Sequence, residues 1–234
     1  MRAPDQTTVE ETLPEASRRL IRTADTLAEE EYAEPSGLPG WTRAHVLAHL
    51  ALNAEGLAGA LTGIVEGDPL PMYRSQEARD GDIDELAGQP PASIRARLLG
   101  ATTDLADAVA AVPEDRWDAV VERTPGSERT FPVGAVPWMR LREVEIHHAD
   151  LSAGYVHTAW PLPFAVALVE SLTDHSDAAG PFRMHATDAD RTWQRGTGGP
   201  TVSGTAADLG WWLTGRGDGA GLSCDGTLPR IGAW

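Results

Sequence analysis

The sequence predicts an α+β protein: a bundle of four long helices followed by a small α+β domain. Three observations predict it. Apolar residues recur at helical spacing through the first 150 residues. Proline and glycine clusters divide that stretch into segments long enough for helices of several turns. After Pro161 the texture changes to short strand-like runs mixed with two helices.

Residues Thr8–Ala33 read as an amphipathic helix, with Val9, Leu13, Leu20 and Leu27 on one stripe and acidic and arginine residues on the rest. Pro35-Ser36-Gly37-Leu38-Pro39-Gly40 combines helix breakers and turn formers and is a loop. Thr42 is placed to cap a second helix, Arg43–Glu66, which Gly67-Asp68-Pro69 terminates. A shorter helix covers Ser75–Ala87, and Pro90-Pro91 introduces another over Ala92–Val112. Ala119–Phe131 is a polar connection with strand character, leading to a helix over Gly134–Leu151. Four long helices joined in this way suggest an antiparallel bundle. The domain boundary falls between Leu151 and Pro161, giving a bundle over residues 1–155 and a second domain over 156–234. In that domain a helix is expected at Leu162–Ala178, strands at Phe182–Ala186, Arg191–Gln194 and Thr201–Ser203, a helix at Ala206–Thr214, and a strand at Gly221–Cys224. Only the first few residues are expected to be disordered.

Composition narrows the function. The chain has 234 residues and a formal net charge of −16. Nucleic-acid binding needs a basic surface to replace phosphate counterions, so this balance argues against it, and against an anionic membrane surface. No run of about 18 apolar residues is present to span a bilayer, and the N-terminal residues have no apolar signal core. The single cysteine, Cys224, cannot pair internally, which suits a reducing cytoplasm. No histidine is spaced to activate it, so it reads as an unreactive strand residue.

Two helical segments carry chemistry: Trp41-Thr42-Arg43-Ala44-His45-Val46-Leu47-Ala48-His49-Leu50 and Leu141-Arg142-Glu143-Val144-Glu145-Ile146-His147-His148-Ala149-Asp150. Residues four apart share a helix face, so His45 and His49 point together, as do Glu143 and His147. Polar groups facing the inside of a bundle need partners, and a divalent cation satisfies several at once. Two histidines and one carboxylate leave a coordination position open, the pattern of catalytic zinc. The reading is His49, Glu143 and His147. Spacing alone leaves His45 as an alternative to His49, and Glu145 with His148 as a competing pair.

These segments resemble the mycothiol-dependent maleylpyruvate isomerase family of the DinB-like metalloenzyme superfamily. Trp41-Thr42-Arg43-x-His45-x-x-x-His49, with Asn53 beyond it, is similar to that family's second helix. Pro71-Met72-Tyr73-x-Ser75-x-Glu77-Ala78-Arg79, Trp138-Met139-Arg140-x-Arg142-Glu143-Val144-x-Ile146-His147-x-x-Asp150-Leu151 and Gly215-Arg216-Gly217 match further segments, so the likeness spans nearly the whole chain. The tryptophan–histidine helix is shared across the superfamily; the other segments are more specific.

The resemblance implies a DinB-like four-helix bundle, with zinc or another divalent metal held by His49, Glu143 and His147. His45 then becomes a supporting or packing residue, and Glu145 and His148 are expected to face outward. It also implies mycothiol, the thiol of actinobacteria, a source with which the lysine-free composition agrees. A metal-bound thiol is deprotonated, and the thiolate is the nucleophile. Its addition to the cis double bond of maleylpyruvate would leave a single bond free to rotate, and elimination would give fumarylpyruvate. Arg216 is the candidate catalytic cation for the anionic substrate. Asn53, Tyr73 and Arg79 are candidates to line the cofactor or substrate pocket, although packing and capping account for each equally well. Of Trp211 and Trp212, at least one is expected in the core. Two other readings remain: a mycothiol S-transferase acting on another electrophile, and a non-catalytic ligand-binding bundle whose metal is closed by a fourth protein ligand such as His45 or His148.

Overall fold

The computed structural model describes residues 6–173 and 180–232. The chain divides into two compact units, Leu13–Tyr155 and Val156–Trp234, the latter joined by Met1–Thr12. No helix among the described residues is long and apolar enough to cross a membrane.

The first unit is built on α2 (Arg43–Glu66), which packs against α3 (Gln76–Ala87), α4 (Pro91–Ala111) and α5 (Val136–Asp150). Val46, Leu47, Leu50, Ala54 and Leu57 are wholly buried. A helix apolar on most sides belongs at the centre of a bundle. Leu61 and Ile64 continue the core against Ala101 and Leu105 of α4 and against Val121, Val133 and Val136. Arg43 fixes the start of α2 against the end of α5, donating to the carbonyls of Leu151 at 3.0 Å and Ser152 at 2.8 Å.

Sequence and structure differ at the first helix. α1 runs Gln6–Thr26, and Glu29–Ala33 forms a separate 3₁₀ turn rather than its continuation. Glu31 starts that turn by accepting the Ala28 N–H at 2.7 Å, which gives the acidic triplet a local use that helix periodicity does not reveal. The polar connection is a hairpin of β1 (Val120–Glu122) and β2 (Thr130–Pro132). The Met72 and Tyr73 N–H groups donate to Glu122 and Arg123 carbonyls at 2.9 Å each, so the Pro71-Met72-Tyr73 segment is tied to this hairpin. That segment also lies on α2: a Cβ at Gly56 would stand 2.7 Å from the Met72 carbonyl oxygen.

The second unit contains α6 (Leu162–Leu172), β3 (Phe182–Ala186), β4 (Arg191–Arg195), β5 (Thr201–Gly204), α7 (Ala206–Leu213) and β6 (Ser223–Cys224). Residues 174–178, expected to extend α6, lie outside the described residues. The sheet order is β4-β3-β5-β6; β3 and β5 are parallel and the other neighbours antiparallel. Phe182, Met184 and Ala186 point inward at alternate positions. Trp212 of α7 is buried and meets Phe182 edge-on, with ring centroids 5.3 Å apart. Cys224 is a partly exposed free thiol in β6.

Candidate metal centre

Glu143 and His147, four residues apart on α5, face His49 of α2. Glu143 Oε2 lies 2.9 Å from His49 Nε2 and 3.3 Å from His147 Nε2. The imidazole planes are nearly perpendicular, with centroids 4.7 Å apart. One ligand atom from each residue lies within 4.8 Å of the other two. The two shorter separations approach the edge of a tetrahedron with metal–ligand bonds of about 2.1 Å. The donor set therefore fits a divalent cation and leaves a position open.

Asp150 completes this arrangement. Its Oδ2 lies 2.8 Å from His147 Nδ1, and it is 1% exposed. A carboxylate there takes the Nδ1–H and leaves the Nε2 lone pair facing the donor set. Sequence reasoning gave Asp150 no role, although its position three residues after the histidine on one helix was visible. At His49, Arg79 Nη2 lies 3.1 Å from Nδ1. A guanidinium only donates, so Nδ1 accepts and the Nε2–H donates to Glu143. A cation at Nε2 would shift that proton to Nδ1, and Arg79 would have to give up this contact.

Burial pushes His49 down to about 4, against the bond to Glu143. For Glu143 burial acts upward, but the bonds and charges of the two histidines hold the carboxyl well below its ordinary value. For His147 burial acts downward, and Asp150 with Glu143 outweighs it, so the group is raised. An ionised carboxylate between two imidazoles provides the negative charge a cation needs.

The alternatives left open by spacing are occupied elsewhere. His45 turns back to the N-terminus of α2: its Nδ1 accepts the Thr42 N–H at 3.3 Å and lies 2.7 Å from the Thr42 hydroxyl. Glu145 and His148 do not face outward; they are 0% and 1% exposed. The outward expectation assumed one buried face on α5, whereas α1 covers the opposite face with Arg19 and Thr23, four residues apart. Arg19 and the Tyr155 hydroxyl each donate to Glu145 at 2.6 Å. His148 Nε2 lies 2.8 Å from Thr23 Oγ1, and its ring stacks on Tyr155 at 3.9 Å. Among the described residues, neither His45 nor His148 is placed to close the donor set with a fourth ligand.

Arg79, which contacts His49, also meets Tyr73. The Arg79 and Arg123 guanidiniums lie over the Tyr73 ring at 5.7 and 5.3 Å. Burial raises the Tyr73 phenol above its usual value, which keeps it a neutral hydrogen-bond donor. Asn53 is buried and accepts from Arg140 Nη1 at 2.9 Å; the same nitrogen donates to the Leu50 carbonyl at 2.8 Å. Asn53 thus holds Arg140, whose guanidinium burial pushes down to about 10. Arg216 belongs to the other unit, in the Gly215–Gly217 turn, where its Nη1 donates to the Thr214 carbonyl at 3.3 Å.

Comparison with known proteins adds to this geometry. The family model described as the mycothiol maleylpyruvate isomerase N-terminal domain matches residues 13–152. A crystal structure of the mycothiol-dependent maleylpyruvate isomerase superposes with a TM-score of 0.86 at 28% identity, covering 97% of each chain. The structure of a histidine-to-alanine mutant of that enzyme gives a TM-score of 0.85 at 28% identity over 97% of each chain. No curated protein matches the sequence.

Proposed function

Since the chain belongs to the mycothiol maleylpyruvate isomerase family, we propose that it catalyses the mycothiol-dependent cis–trans isomerisation of maleylpyruvate to fumarylpyruvate. The observation that carries this reading is the convergence of His49, Glu143 and His147 within the family-matched residues, on a donor set with an open position. Zinc or another divalent cation held there would supply Lewis acidity and keep a thiol ligand ionised.

The protein's own residues do the rest. Asp150 fixes the His147 tautomer. Glu143 offers its carboxylate to the cation, and its low pKa keeps it ionised across the neutral range. Arg79, which contacts His49, and Tyr73 beneath it offer a guanidinium and a phenol to the cofactor or substrate. Arg216 grips a substrate carboxylate through its planar fork and offsets charge that develops next to it.

The test is a spectrophotometric assay of zinc-loaded protein with maleylpyruvate, with and without mycothiol. Thiol-dependent formation of fumarylpyruvate is expected, and its loss in a folded His49→Ala protein with depleted zinc. Folded, zinc-loaded protein that forms no fumarylpyruvate sinks the assignment; a stable mycothiol adduct instead would move it to S-transfer.

A further inference from the structure

The second unit contains a histidine–carboxylate pair for which the proposed chemistry has no use. His157 Nε2 lies 3.0 Å from Asp208 Oδ1, with the two side chains 23% and 13% exposed. The other Asp208 oxygen accepts the Thr205 hydroxyl at 2.7 Å, and Thr205 Oγ1 accepts the Asp208 N–H at 3.1 Å as the N-cap of α7. The pair is therefore anchored in the first turn of that helix.

Three residues further along α7 is Trp211. Its ring lies parallel to the His157 imidazole, with centroids 5.1 Å apart and planes 5° from parallel. Trp160 meets Trp211 edge-on at 5.8 Å and His157 at 6.0 Å. The indole is thus held from two directions, while His157 is itself held by Asp208. The glycine–arginine–glycine turn closes onto this ring. At Gly217, where φ is +69°, a Cβ would stand 3.2 Å from Trp211 Nε1, so the turn packs closely against the indole. The Arg216 guanidinium lies over the same ring at 5.7 Å.

Arginine is among the side chains with most rotamer freedom to lose, and a turn with glycines on both sides adds backbone freedom. A fixed aromatic face attracts the cation and limits its conformers before binding. We propose that His157, Asp208 and Trp211 form a positioning assembly that pre-orients Arg216 for a carboxylate-bearing substrate. This rests on the reading of Arg216 as the substrate-gripping cation. His157 and Asp208 act only through Trp211, and none of the three touches the reacting atoms.

The test compares Trp211→Leu, Trp211→Phe and His157→Ala with the parent, each matched for circular dichroism and zinc content. An indole ring current displaces the side-chain proton resonances of Arg216 upfield in the parent, and Trp211→Leu abolishes that displacement. In the same variant KM for maleylpyruvate rises about tenfold, as expected for a lost cation–π restraint, while KM for mycothiol stays put. His157→Ala moves both readouts in the same direction by less, and Trp211→Phe, which keeps an aromatic face, recovers most of each. Parent Arg216 resonances without a ring-current displacement overturn the proposal. So does a Trp211→Leu protein with an unchanged KM for maleylpyruvate. A parent that forms no fumarylpyruvate refutes the isomerase reading instead, while the Arg216 resonances still decide whether the assembly exists.

Discussion

Replacing Asp150 with asparagine tests the donor set through a residue that would not itself bind the cation. The carboxylate is 1% exposed and lies 2.8 Å from His147 Nδ1. Asparagine is nearly isosteric, but it removes the charge and offers an amide that can present either oxygen or NH₂. With its oxygen toward Nδ1 the tautomer survives and only the electrostatic support is lost. With its NH₂ toward Nδ1 the proton moves to Nε2, where the cation should bind. Partners of this kind are worth about tenfold to hundredfold in metal affinity, or roughly 1.4–2.7 kcal/mol at 1.36 kcal/mol per decade. Competition for zinc between the metal-free protein and a chromophoric chelator measures the effect, and a thermal melt confirms that the variant is folded. Zinc affinity within about twofold of the parent, well below the expected range, would refute the argument that Asp150 sets the His147 tautomer.

Two further perturbations separate scaffold from site. His45→Ala removes the acceptor at the N-terminus of α2 and should cost about 1 kcal/mol in urea denaturation. Its zinc affinity should stay at the parent value, because His45 faces Thr42 and not the donor set. Gly56→Ala places a Cβ 2.7 Å from the Met72 carbonyl oxygen, so the Pro71-Met72-Tyr73 segment must lift from α2. An overpacking cost of about 1–3 kcal/mol is expected, together with a higher KM for mycothiol and unchanged zinc affinity. An unaltered KM would separate Tyr73 from the cofactor.

The parts of the structure legible in the sequence are those controlled by local signals. Pro35–Gly40, Gly67-Asp68-Pro69 and Pro90-Pro91 divide the helices because their backbone preferences act without help from neighbours. The Glu143–His147 pair was legible because helical spacing alone puts both residues on one face. The choice between His45 and His49 was not legible from that rule, since it puts both of these on one face as well. A different local signal was available: Thr42-x-x-His45 has the spacing of a capping box, with histidine in place of the usual glutamate or glutamine. The burial of Glu145 and His148 was hidden for another reason. Amphipathic periodicity assumes one buried face, and α5 has two. The second face is visible only once Arg19 and Thr23 are seen to supply polar partners from α1.

Charge balance around the donor set bears on which substrate it suits. Arg140 is buried and Arg142 half-buried, and each is lowered chiefly by burial while the Glu143 carboxylate acts to raise it. Arg79 contacts His49 directly. Against these three guanidiniums stand the carboxylates of Glu143, Asp150 and Asp80, the last 2.7 Å from Arg79. A divalent cation added to this balanced set at low dielectric leaves it positive, unless anions accompany it. A thiolate offsets one charge. A dicarboxylate such as maleylpyruvate offsets the remainder, whereas a neutral electrophile leaves it uncompensated. On the proposed reading, the charge left by a cation and a thiolate favours an anionic acceptor over a neutral one. Weak competitive inhibition by maleate, a short cis-dicarboxylate whose double bond lacks the activating ketone, is the expected consequence, and none is expected from its neutral diamide.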